Sequence, residues 1–222
     1  MSPDVVSSSF LRAANVSRED LYGVPIDDQM PLHLQTDARV PFLGFTGQRY
    51  VKGSVVLLAI NPGGGGDTYQ TRTTQDAQLL PLIEAFRRST TSETAARFDA
   101  MSKNYALQVR SWNLWRILGP VLEACGKELE EVAYLNCFPY RTAGDRRPKS
   151  QALRASWAKI VEPLLSELRP GKVVALGKKA GSVAETYHRG SYALHVVPRT
   201  IGDSRISSEA QLVLQVLREN AP

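Results

Sequence analysis

A three-layer α/β/α sandwich on a central, mainly parallel four-stranded sheet is the fold class this sequence predicts. Two observations predict it. Four short apolar runs, at residues 55–60, 132–136, 173–176 and 193–197, are mostly rich in valine, isoleucine or leucine without clean alternation. Strands covered on both faces read this way. Helical patterns lie between the runs, and strand–helix alternation is the signature of a parallel α/β sheet.

Taken in order, residues 1–54 are less regular and read as an N-terminal cap with one helix. The first strand follows at 55–60. A helix over 75–88 carries Leu79, Leu80, Leu82, Ile83 and Phe86. The stretch 105–124 places Leu107, Trp112, Trp115, Leu118, Val121 and Leu122 on one broad face and reads as one helix. After the second strand, Ser150 looks like the N-cap of a helix bearing Leu153, Trp157, Ile160, Leu164 and Leu168, which Pro163 should kink. A helix over 178–187 follows the third strand, and a last helix covers about 208–219. No repeat and no linker composition divides the chain, so 1–222 reads as a single domain.

Composition narrows the function classes. Hydrophobic residues make up 43% and charged residues 22%, ordinary for a globular chain with a real core. Cys125 and Cys137 are too few for a four-cysteine iron–sulfur or zinc cluster, and His33, His188 and His195 show no metal-ligand spacing. No cofactor and no metal are expected, and two buried free thiols are. The start of the chain shows no basic, then apolar, stretch and no run is long enough to span a bilayer, so the expected location is the cytoplasm, with no membrane partner. The net charge of +5 suits a polyanionic partner. Its placement matters more: Arg141, Arg146, Arg147 and Lys149 crowd one loop, and Arg199 and Arg205 another.

Open parallel sheets bind ligands beyond the carboxyl ends of their strands. The segments there begin Asn61-Pro62-Gly63-Gly64-Gly65-Gly66, Asn136-Cys137-Phe138-Pro139-Tyr140-Arg141, Gly177-Lys178-Lys179 and Pro198-Arg199-Thr200. They should converge on one cleft. The glycine run is no P-loop, because no Gly-Lys-Ser/Thr follows it.

The run Ile60-Asn61-Pro62-Gly63 resembles the first motif of the uracil-DNA glycosylase superfamily, in the Gly-Ile-Asn-Pro-Gly form of its mismatch-specific members. Ala59 stands where that motif has its first glycine. The later segments resemble the family in order and spacing, over roughly residues 55–205. The resemblance implies a monofunctional DNA glycosylase, which hydrolyses the bond between a flipped-out base and its sugar. In the family the Asn or Asp of the first motif positions the attacking water, and by resemblance that role falls to Asn61. An amide is no strong base, but an oxocarbenium-like transition state needs only a weak nucleophile held in place. Ile60, Pro62 and Gly63 would flank the base. Where uracil-strict members carry a tyrosine that excludes a 5-methyl group, this chain has Gly63, which implies tolerance of C5 substituents.

The other roles follow by position. Asn136 would read the base edge, since an amide donates and accepts at once. Tyr69 is the candidate aromatic platform. Gly64, Gly65, Arg141, Lys178, Thr200 and Arg205 would meet the DNA backbone, and Ile201 or Ile206 would wedge into the duplex. The family's His-Pro-Ser or Asn-Pro-Ser motif is absent after the last strand; Arg199 and Thr200 stand there, with Arg199 to offset charge on the departing base. His195, inside that strand, reads as a core or supporting histidine.

The expected partner is DNA, and the expected state a monomer. The expected substrate is uracil or a C5-modified pyrimidine, with excision of bulky glucosylated cytosines of phage DNA as one alternative. A non-catalytic binder of damaged or single-stranded DNA is another, and an enzyme of free nucleotides a further one.

Overall fold

The computed structural model describes residues 3–23, 40–63, 74–142, 147–199 and 206–221. The elements are α1 (Pro3–Ala14), α2 (Arg18–Tyr22), β1 (Gly44–Thr46), β2 (Val55–Ala59), α3 (Thr74–Arg87), α4 (Thr94–Val109), α5 (Trp115–Ala124), β3 (Ala133–Asn136), α6 (Ser150–Ser156), α7 (Glu162–Leu168), β4 (Lys172–Leu176), α8 (Lys178–Tyr187), β5 (Ala193–Val197) and α9 (Ser208–Glu219). They form an α/β/α sandwich. The sheet order is β1-β3-β2-β4-β5. The four expected strands are all present and mutually parallel. The central strand β2 is buried along its whole length, as cover on both faces requires. The edge strand β5 runs from an exposed Ala193 through half-buried residues to a buried Val197.

The sheet has a fifth strand that the sequence did not suggest. β1 lies in the stretch expected to be an irregular cap, and pairs antiparallel with β3, Gly44 opposite Leu135 and Thr46 opposite Ala133. Three residues are too few to display a period of two, so only pairing reveals the strand. Gly44 is required here: its φ is 123°, and a Cβ would lie 1.8 Å from the Tyr134 carbonyl oxygen. Among its described residues the same N-terminal stretch holds two helices, α1 and α2, rather than one.

The single helix expected over 105–124 is two, α4 and α5. The apolar spacing runs on through the break. Between the helices the chain tightens into turns, with Ser111 N–H on the Gln108 carbonyl and Trp112 N–H on that of Val109. That turn sets Trp112 edge-on to both Tyr105 and Tyr134. The expected kink at Pro163 takes the form of a π-helical turn, Trp157–Val161, between α6 and α7. Widening the helix there relieves the clash of the proline ring with the preceding turn. Ser150 is the first helical residue of α6, not its cap; Lys149 holds the cap position without a side-chain bond. In α9 the cap is real, Ala210 N–H donating to Ser207 Oγ.

One continuous core runs through the described residues, with Phe10, Phe45, Val56, Leu57, Leu58, Phe86, Val121, Phe138, Val174 and Leu217 all fully enclosed. Cys125 and Cys137 are buried free thiols, as expected. Among the described residues no helix is long and apolar enough to cross a membrane.

Candidate active site at the carboxyl edge of the sheet

Parallel registry brings the expected segments to one edge. Ala59 lies beside Asn136, and Leu176 beside Val197. β3 continues to bond beyond its last residue: Cys137 N–H donates to the Ala59 carbonyl (2.7 Å) and Phe138 N–H to that of Ile60 (2.9 Å). On the other side Gly177 N–H donates to Val197 O at 2.8 Å. Gly177 has φ 108°, and its missing Cβ would sit 3.6 Å from the Arg199 Cβ.

Asn61 leaves the end of β2, the middle strand of the sheet. It is half-buried, and its Nδ2 donates to Thr142 Oγ1 at 2.9 Å and to the Pro62 carbonyl at 3.4 Å. A carbonyl only accepts, so the second contact fixes which end of the amide is which. Both N–H bonds therefore point into protein. Among the described residues Oδ1 has no hydrogen-bond donor, and it is the acceptor the site offers.

Arg141, expected at a DNA phosphate, is elsewhere. Its side chain is 10% exposed and forms a two-pronged ion pair with Asp76, in the first turn of α3, at 2.5 and 3.0 Å. Its Nε donates to the Gly63 carbonyl at 3.1 Å, and its guanidinium lies over the Phe42 ring, 4.7 Å from the centroid. A guanidinium so neutralised and enclosed does not serve a phosphate, and the expectation is corrected: Arg141 is part of the framework.

Asn136 is 3% exposed. Its Nδ2 donates to Phe42 O at 2.7 Å, and its Oδ1 accepts from the Tyr134 hydroxyl at 3.2 Å. The amide expected at a base edge thus ties the start of the β1 segment to β3, leaving one N–H and one lone pair. Burial drives the Tyr134 hydroxyl well above its usual pKa, with the Arg199 charge pulling the other way. Arg199 itself is exposed just beyond β5, three strands from β3. Nearby, Tyr105 is fully buried; burial first, then Tyr134, raise its pKa.

Lys178 is exposed at the first turn of α8 and pairs with Glu209 at 2.8 Å. Such a surface pair is easily exchanged for another anion. Ile206 is half-buried and packs against the core. His195 is half-buried in β5. Gly64, Gly65, Tyr69, Arg146, Thr200, Ile201 and Arg205 lie outside the described residues. Among those described, no group of three or more His, Cys, Asp or Glu gathers as metal ligands do.

Three site residues had not been picked out from the sequence. Thr142 adjoins Arg141 but belongs to no motif. Asp76 reads as an ordinary first-turn carboxylate. Phe42 stands in a stretch with no evident pattern. No family model matches this chain, and no curated protein does either.

Proposed function

We propose that the chain is a DNA glycosylase that hydrolyses the N-glycosidic bond of a flipped-out pyrimidine and leaves an abasic site. The observation that carries this reading is the Asn61 amide. Both its N–H bonds are spent on Thr142 and Pro62, so its oxygen is presented, pre-oriented, at the carboxyl edge of a parallel sheet.

That oxygen accepts a hydrogen bond from a water and holds it against C1′. The water oxygen bonds to C1′ as the C1′–N bond breaks. The bonding pair leaves with the base, which takes a proton from solvent, while the water's surplus proton is released. The positive charge of Arg199 offsets the charge on the departing base. Gly63 supports a substrate bearing a C5 substituent. It is exposed, and among the described residues no atom lies within 4 Å of where its Cβ would be. Exposed Arg147, Lys149 and Lys178 supply charge for the DNA backbone.

The test is alkali-labile strand cleavage of oligonucleotides bearing uracil, thymine opposite guanine, hypoxanthine, 5-hydroxymethylcytosine or glucosylated 5-hydroxymethylcytosine, single- and double-stranded. Cleavage of a pyrimidine substrate that Asn61→Ala abolishes supports the reading. Salt-sensitive DNA binding without cleavage of any substrate replaces it with the non-catalytic binder.

A further inference from the structure

We propose that Arg141 is a positioning residue for the chemistry at Asn61, holding the loop after β2 by its backbone and touching neither substrate nor DNA. The inference rests on the glycosylase reading above. Two consecutive residues beyond β3 grip two residues beyond β2: Arg141 Nε holds the Gly63 carbonyl, and Thr142 Oγ1 holds the Asn61 amide. Between the gripped residues stands Pro62, whose ring fixes φ and stiffens the segment. A shift of Gly63 is therefore passed to Asn61.

The grip is itself anchored from two further directions. The Asp76 carboxylate takes both terminal nitrogens of the guanidinium, and the Phe42 ring lies against its face. These contacts set the plane of the guanidinium, and so the direction of Nε–H. The planar fork matters. A lysine keeps the charge but has no geometry that meets both carboxylate oxygens and the Gly63 carbonyl.

Stability and positioning can be separated. A buried ion pair replaced by apolar side chains of similar size usually leaves the fold intact, whereas breaking one partner does not. The paired change Asp76→Leu with Arg141→Met replaces the ion pair by apolar side chains of similar size and removes the bond to Gly63. Arg141→Lys, a single change that keeps charge opposite Asp76, serves if the pair fails to fold.

The experiment measures melting temperature, single-turnover rate and half-saturation on the best-cleaved oligonucleotide, and amide hydrogen exchange of residues 58–63. The expected result for the paired variant is a near-parental melting temperature, half-saturation within about threefold, and a rate lowered about 10- to 100-fold, as a misplacement near 1 Å produces. Arg141→Lys should lose rate similarly. Exchange over 58–63 should quicken in both. A variant that regains both stability and rate, or one that loses only half-saturation, overturns the proposal. If the parent chain cleaves no substrate, the glycosylase reading falls by that result. The grip is then judged by exchange alone: unchanged exchange over 58–63 overturns it.

Discussion

Asn61 and Thr142 stand 81 positions apart and share a hydrogen bond of 2.9 Å that joins the loops beyond two neighbouring strands. Through it, a side chain of no recognisable motif sets the direction of the one that carries the proposed chemistry. Asn61→Ala should lower single-turnover cleavage by more than about 100-fold, because the water loses its holder. Thr142→Val, which removes the acceptor that orients the amide, should lower it about tenfold, the equivalent of roughly 1.4 kcal/mol. DNA affinity, followed by fluorescence anisotropy, should stay near parental for both. Equal loss of binding and cleavage would sink the assignment of Asn61.

Asp76→Ala strands the Arg141 guanidinium in the interior, with a side chain only 10% exposed. Removing one partner of such a buried pair costs about 3–5 kcal/mol. Urea titration should show the midpoint fall accordingly. A loss below about 1 kcal/mol would mean that the guanidinium finds water or another carboxylate.

Two glycines near the site should respond in opposite ways. At Gly44 a Cβ would meet the Tyr134 carbonyl at 1.8 Å with φ at 123°, so Gly44→Ala should reduce soluble yield and melting temperature sharply. At Gly63 the described residues leave the space open. Gly63→Tyr should melt near the parent and narrow the substrate range, cutting cleavage of 5-substituted pyrimidines far more than that of uracil. Parallel losses on both substrates would count against Gly63 as the open wall of the base pocket.

Stability should depend on pH through His195. Burial, reinforced by Lys172, holds its imidazole below the ordinary value of 6.5. The unfolded chain therefore binds this proton more readily than the folded one. The contribution is whole above 6.5 and shrinks as pH falls through it. The carboxyls of Asp20, Glu93 and Glu131 are held low by backbone N–H groups and act in a more acidic window. Denaturation at pH 7.5 and 5.5 should show a drop that His195→Gln removes. An unchanged drop would assign it to other groups.

Where strand and helix would lie was largely legible. The runs at 55–60, 132–136, 173–176 and 193–197 carried enough β-branched and aliphatic side chains to mark buried strands, and the last helix covers Ser208–Glu219 as expected. What escaped was short or locally ambiguous. Gly44–Thr46 is a strand only because β3 lies beside it. The break between α4 and α5 leaves the apolar spacing intact, because Trp112 is claimed by Tyr105 and Tyr134 from different elements.

By itself the sequence determined the layers, the parallel strands and therefore the edge at which their ends meet, since these follow from local periodicity and from the chain's connectivity. Only the tertiary structure decided which polar groups face outward there. Arg141 and Asn61 look equally available in the sequence, yet one is enclosed by Asp76, Phe42 and Gly63 while the other keeps an oxygen unclaimed among the described residues. The physical reason is that a hydrogen bond or ion pair needs partners within about 3 Å, and those partners come from segments far apart along the chain.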